Sequence, residues 1–482
     1  MTSILTAKGY SILKASVTAV QLKTIQKELT VLPAVAPQYA GGSSPFTLYM
    51  ESASRWYLPV MWGLTKFGPP ASDTRPEGDP LRPELKFICT LRPEQLPIQE
   101  AVRTNDYNGI VSVPCGYGKT KCAIAFAVQL GKRFIVVVHK EFLMAQWKEE
   151  LESSVPGIKI GKIQGEKCEI GPEYDCAIAM IQTLCSRTYV ASTFAGFGFS
   201  IFDECHHLGA EHFSRALQQV GTKRRLGLSA TPDRADGLRR VFEWFLGPIV
   251  YQVKRRDADM TVAVRIFRYS TTEEPYCTTP INWKGEVVRA RFINLISEDK
   301  ERTKLLATWI APVAKEEHRQ TLLLSDRREH LDEFKAEFIK HGITSIGHYV
   351  GGMKQVDLDT SAKCRIVLGT FAMAAEGMNI PTLNTIVLAT PKSNIEQSIG
   401  RVLRQKPEER TCAPLILDVL DAVHTCCNGQ YARRRKFYRS CGYQMSVWDQ
   451  GIEPSVKKKE VEIEEEEPPV EKASPSTYLF ED

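Results

Sequence analysis

From Leu91 onward, short apolar runs rich in β-branched residues alternate with stretches whose apolar positions recur at helical spacing. Gly109-Ile110-Val111-Ser112-Val113, Phe134–Val138, Cys176–Met180, Phe199–Phe202 and Arg225–Ser229 are such runs. Each is short and reads as a buried strand candidate. With helices between them, they predict parallel βαβ units buried on both faces. The alternation resumes after residue 295, with strands expected at Thr321–Ser325, Arg365–Leu368, Thr385–Leu388 and Leu415–Val419.

The fold class is therefore α/β, with two tandem parallel-sheet domains, a small N-terminal α/β accessory domain and a disordered acidic tail. The expected boundaries are 1–78 for the accessory domain and 79–250 and 296–450 for the two sheet domains. A connector is expected at 251–295 and the tail at 451–482. Pro69, Pro70, Pro76, Pro80 and Pro83 mark the first boundary. A length of 482 residues exceeds a single compact core and suits about three domains. With 43% hydrophobic and 25% charged residues, wholesale disorder and a fibrous chain are excluded. No apolar stretch is long enough to span a bilayer and Met1–Tyr10 does not read as a secretory leader, so a soluble protein without a membrane partner is expected.

The thirteen cysteines are scattered without a C-x-x-C pair, which favours free thiols in a reducing intracellular setting and gives no zinc signal. The tail from Gly451 holds four Lys and ten Asp or Glu, leaving 58 bases against 47 acids in the preceding 450 residues. That basic body suits a polyanionic partner, or is simply a soluble basic protein.

Val113-Pro114-Cys115-Gly116-Tyr117-Gly118-Lys119-Thr120 follows one strand run and precedes a helical pattern. Strand, glycine loop and helix start are the context of a phosphate-binding loop. Gly116 and Gly118 would let backbone N–H groups approach phosphate oxygens, aided by the helix N-terminus. Lys119 would reach the β- and γ-phosphates of ATP, and Thr120 would hold Mg²⁺. Val113 stands where the general pattern has its first Gly.

Phe202-Asp203-Glu204-Cys205-His206-His207 closes another strand run. Asp203 could hold Mg²⁺ and Glu204 could deprotonate an attacking water. The paired histidines also invite a metal-ligand reading, but adjacent His residues seldom both face one ion.

A G-x-G-K-T loop followed by D-E-x-H resembles the superfamily 2 helicases and translocases, whose two domains are RecA-like. Leu91–Gln95 is similar to the upstream Gln motif, which implies that Gln95 contacts adenine. Gln146-Trp147 resembles motif Ia, Ile181-Gln182-Thr183 motif Ib, and Ser229-Ala230-Thr231-Pro232 motif III. Gly377 within Ala375–Pro381 resembles motif V, although Asn379 stands where Asp is usual. Gln397–Arg404 resembles motif VI. Arg234-Ala235-Asp236 is similar to the R-x-D of the XPB-like branch, and Asp203–Ser214 to helicases of large DNA viruses and phages.

The resemblance implies that Gln397, Arg401 and Arg404 act on the ATP phosphates from the second domain. It makes His206, Ser229, Thr231, Arg234 and Asp236 couple the nucleotide state to the strand site. Gln146, Gln182, Thr183, Arg327, Gly369 and Thr370 become candidate nucleic-acid contacts. The implied partner is DNA, single-stranded, duplex or forked, with RNA as the alternative and a non-catalytic clamp as a further one. A viral setting in host cytoplasm, nucleus or virion follows, with transcription or replication proteins meeting the N-terminal domain or tail.

Other features stay open between two readings. Gln164-Gly165 is a strand-contact turn or a surface loop, and Trp147 is core rather than a stacking platform. Trp283 is a wedge or part of a structural hairpin. Arg433–Lys436 is a DNA-facing stripe or a solvated helix face. Trp56, Tyr57 and Trp62 are core or a junction-recognition surface.

Overall fold

The computed structural model describes residues 3–32, 45–114, 116–190, 192–205, 211–230, 239–253, 258–376, 378, 380–402, 405 and 410–454, without the side chains of 211–213, 375, 376, 401 and 402. The chain forms two compact units, Met1–Lys254 and Arg255–Asp482.

In the first unit, eight strands line up as Lys167–Cys168, Ile160–Gln164, Cys176–Met180, Phe134–Val138, Phe199–Phe202, Arg224–Ser229, Gly109–Ser112 and Ile249–Gln252. Every pairing is parallel except the Lys167–Cys168 hairpin. The central strands are buried along their whole length, Phe134–Val138 and Cys176–Met180 without exception. Helices on both faces exclude water from such strands, which is why they read as unbroken apolar runs. Helix Lys119–Leu130 buries six consecutive residues, Cys122–Ala127.

Residues 4–73 contribute a separate five-stranded sheet: Met50–Glu51, Arg55–Leu58, Gly9–Leu13, Ile4–Thr6 and Ser72–Asp73. Helix Ala19–Leu29 starts with a capping box between Thr18 and Gln21. Trp56 and Trp62 are buried in a cluster that also contains Ile110, Ile135 and Phe242, so this region shares its core with the large sheet. Trp62 Nε1 donates to Glu28 Oε2 at 2.9 Å.

In the second unit the order is Ile346–Tyr349, Ile366–Thr370, Thr321–Ser325, Thr385–Leu388, Leu415–Asp421, Ala263–Tyr269 and Gln444–Asp449, all parallel. Two of these strands differ from the sequence expectation. Ala263–Tyr269 lies within the stretch read as a connector, and Gln444–Asp449 was not expected. In the former, Val264, Ile266, Phe267 and Tyr269 are buried while Arg268 reaches solvent. The interleaved arginines hide a strand that is wet at one face.

Candidate active site

The Gly109–Ser112 strand leads through the phosphate loop into helix Lys119–Leu130. Gly116 and Gly118 have φ of +85° and +79°, in the region that favours glycine. A Cβ on Gly118 would collide with Gln95 Nε2. Lys119 and Thr120 open the helix, so the first-turn amides and the positive end of its dipole face the loop. Lys119 Nζ donates to the Val113 carbonyl at 3.2 Å, and Val113 N–H donates to the Ser229 carbonyl at 3.1 Å. A single residue thus links the loop lysine to Ser229, which ends the neighbouring Arg224–Ser229 strand. Pro114 and Tyr117 complete the described loop; Cys115 lies outside the described residues.

Gln95 is buried beneath this loop. Its Oε1 accepts from Arg92 N–H at 2.8 Å and its Nε2 donates to the Tyr117 carbonyl at 2.8 Å. Arg92 Nη2 adds a bond to the Gly116 carbonyl at 3.2 Å. Sequence resemblance placed Gln95 against adenine; here its amide joins the Arg92 backbone at one end to the phosphate loop at the other. Arg92 itself was not foreseen, although a basic residue three before a Gln at a helix start was visible.

Asp203 follows the Phe199–Phe202 strand at the same sheet edge, one strand beyond Ser229. Its Oδ2 accepts from Trp147 Nε1 at 2.8 Å and its Oδ1 from Glu204 N–H at 3.0 Å. Glu204 has φ +46°, a left-handed conformation uncommon for a residue with a side chain. Burial raises the Asp203 carboxyl above its ordinary value, and adjacent Glu204 raises it further. The Trp147 indole and the Lys119 ammonium pull the other way. Trp147 is core, as expected, but it also fixes the acidic residue, a pairing 56 positions apart that no local pattern reveals.

Loop amides, Lys119, the Thr120 hydroxyl and the Asp203 carboxylate suit a triphosphate and a hard cation with oxygen ligands. Mg²⁺ held there by Thr120 and Asp203 would neutralise charge developing on the phosphates. Among the described residues no cluster of three His, Cys, Asp or Glu could hold a metal ion by itself, and the twelve described cysteines are free.

Gln182 and Thr183 sit at the start of the short helix that follows Cys176–Met180, along the same edge. Gln182 Nε2 donates to the His139 carbonyl at 2.7 Å, and Thr183 Oγ1 accepts from Gly165 N–H at 3.1 Å. Gln164 Nε2 donates to Glu141 Oε1 at 3.1 Å. The Gln164-Gly165 turn and the Gln182-Thr183 helix start therefore form one polar rim on adjacent strands. Gln146 is partly buried on helix Glu141–Ser154.

In the second unit, Gly369 and Thr370 end a strand paired with Thr321–Ser325, Thr370 standing opposite Ser325. Arg327 directs Nε to Asn294 Oδ1 at 2.6 Å and Nη2 to the Ala290 carbonyl at 3.1 Å, so it ties helix Arg289–Glu298 to this edge. Gln397 and Arg401 lie on helix Glu396–Val402, where Gln397 is partly buried. His206, Thr231, Arg234, Asp236, Gly377 and Arg404 lie outside the described residues.

Two buried arginines brace the approach to that helix; sequence reasoning missed Arg302 and read Arg434 only as part of a basic stripe. Arg302 and Asp421 are fully buried and pair at 2.6 Å; Arg302 Nη2 also donates to the Ala389 carbonyl at 2.9 Å. Arg434 pairs with Asp418 at 2.9 Å and donates to the Lys392 carbonyl at 2.7 Å. The Arg433–Lys436 stripe is thus neither wholly solvated nor wholly DNA-facing, because Arg434 points into the core. Asp418 and Asp421 fall an odd number apart on one strand and so serve opposite faces. The signal available was two acids in an otherwise apolar strand, which demand buried partners.

Residues 88–234 match the family model of the type III restriction enzyme res subunit, and residues 301–406 that of the helicase conserved C-terminal domain. The chain belongs to the superfamily 2 helicases. It is 29% identical over 467 residues to a protein of Acanthamoeba polyphaga mimivirus named as an ATP-dependent RNA helicase, covering 92% of this chain and 86% of that one. It is 25% identical over 354 residues to an African swine fever virus protein of the same description, covering 68% of each. The fold is shared with the DNA-bound Type ISP restriction-modification enzyme LlaBIII at a TM-score of 0.50 and 14% identity, over 75% of this chain. The chain spans 32% of that enzyme's length. No helix of the described residues is long and apolar enough to cross a membrane.

Proposed function

We propose that this chain couples ATP hydrolysis to movement along DNA, as a translocase or an unwinding enzyme. The observation that carries this reading is the line of Lys119, Val113, Ser229 and Asp203 along one sheet edge. Lys119 and the loop amides grip the triphosphate, Asp203 places the metal ion, and Glu204 takes a proton from the attacking water. Ser229, bonded to the loop through Val113, passes the nucleotide state toward Thr231, Arg234 and Asp236. Arg401 and Arg404, with Gln397, complete the charge stabilisation from the second unit, so turnover requires both units. Gln146, Gln182, Thr183, Gly369 and Thr370 meet the strand backbone, which gives sequence-independent, salt-sensitive binding. The viral relatives favour a role in viral transcription, replication or repair.

Arg234-Ala235-Asp236 and the restriction-subunit match favour DNA. The names of the viral relatives favour RNA, which is the second reading. ATPase rates with single-stranded DNA, duplex, forked DNA and RNA decide between them; stimulation by RNA alone ends the DNA proposal. Glu204→Gln should abolish turnover while leaving ATP binding, and unchanged turnover would remove Glu204 from its assigned role.

A further inference from the structure

Residues 280–288 form a short hairpin whose feature is an outward-pointing tryptophan. Ile281 and Val287 make an antiparallel bridge. Asn282 N–H donates to the Glu286 carbonyl at 2.8 Å, and Gly285 N–H to the Asn282 carbonyl at 2.9 Å. Gly285, at φ +79°, permits the tight return. The Asn282 side chain fills the tip, its Oδ1 accepting from Lys284 and Glu286 N–H and its Nδ2 donating to Glu286 Oε2. The tip's own acid is thereby occupied within the hairpin.

On this closed frame Trp283 is 89% exposed and Ile281 59% exposed. Tryptophan is normally among the most buried residues, and nothing in the tip requires an indole. Lys284 Nζ stands 4.9 Å from the centre of the ring over one face. Arg291 is exposed on the helix that follows.

The hairpin is anchored rather than loose. Val288 N–H donates to the Pro280 carbonyl at 2.9 Å, and helix Arg289–Glu298 buries Phe292 and Ile296 in the second unit's core. Arg327 binds this helix at Ala290 and Asn294 directly beyond the Thr321–Ser325 strand. The helix that follows the hairpin is therefore tied to the sheet edge that carries Gly369 and Thr370.

We propose that Trp283 is a stacking platform for an unpaired nucleobase, with Lys284 meeting a flanking phosphate. This deepens the nucleic-acid reading above and rests on it. A flat exposed ring beside a cation suits a base and its phosphate, and stacking on it accepts any base.

The test uses full-length Trp283→Ala, Trp283→Phe and Lys284→Ala with a 20-nucleotide single-stranded DNA, the matching RNA, and a DNA of the same length with abasic sites. Trp283→Ala should weaken binding to the ordinary strand by roughly tenfold or more, as one lost base stack does, and Trp283→Phe should restore most of it. On the abasic strand Trp283→Ala and the unaltered protein should bind alike. Lys284→Ala should lower the salt slope by about one, and Trp283→Ala should leave it unchanged. ATPase without nucleic acid should not change in any variant. Equal affinity of Trp283→Ala and the unaltered protein for ordinary strands overturns the proposal, as does loss of affinity that persists on abasic strands. A Trp283→Ala change in basal turnover or melting temperature alone would mark the ring as a protein contact and also overturn it. If neither DNA nor RNA stimulates the unaltered protein, the functional reading itself fails.

Discussion

Replacing Trp147 by Phe removes one donor from Asp203 while keeping an aromatic ring in the core. The lost bond is 2.8 Å long and ends on a partly buried carboxylate. A hydrogen bond to a charged group is worth roughly 1.5–3 kcal/mol. At 1.36 kcal/mol per pH unit, removing it should raise the Asp203 pKa by roughly one to two units. The folded-state carboxyl already lies above its ordinary value, so the folded chain takes up this proton more readily than the unfolded one. Its contribution to stability is present below the unfolded pKa and is lost as pH rises through the folded value. Ionised Asp203 is therefore a cost at neutral pH that Trp147 lessens. On the role proposed for Asp203, magnesium-dependent turnover needs the ionised form, so the acid limb of kcat/KM for magnesium-ATP should move upward by that amount in Trp147→Phe. The smaller ring also leaves a void, whose cost to stability does not depend on pH and is measured separately by denaturant unfolding. An acid limb that stays in place in a folded Trp147→Phe protein would refute the reasoning.

Gly118→Ala places a Cβ at positive φ against Gln95, and should lower affinity for a non-hydrolysable ATP analogue at least about tenfold by calorimetry. Asp418→Ala strands the buried Arg434, so urea unfolding of the variant should show a loss of about 3–5 kcal/mol. Replacing Arg434 and Asp418 together by Leu should cost far less, and equal losses in the two variants would contradict the pairing argument. Arg327→Ala should weaken strand binding by releasing helix Arg289–Glu298, with no change in salt slope; a slope reduced by about one would mean a direct phosphate contact.

Strands buried on both faces were legible because burial leaves almost no polar residue in them: Phe134–Val138, Cys176–Met180 and Thr385–Leu388 begin and end where the expected runs do. Ala263–Tyr269 was not, because Arg265 and Arg268 interrupt its pattern and drew attention to charge instead. The phosphate loop and the Asp203-Glu204 pair announce themselves by local spacing. The tether from Trp147 to Asp203, the Gln95 clamp and the two arginine braces join residues brought near only by the fold. Arg434 shows the limit most clearly: four consecutive basic residues look alike in sequence, and only the Asp418 carboxylate on the facing strand selects which one turns inward.

The central claim is that one unit grips the triphosphate and arginines of the other complete its hydrolysis. Nucleic-acid-stimulated turnover and ATP binding should be measured side by side in Arg401→Ala and Arg404→Ala. Binding should be largely retained while kcat falls by roughly 10³-fold or more. Full turnover in both variants would contradict the claim.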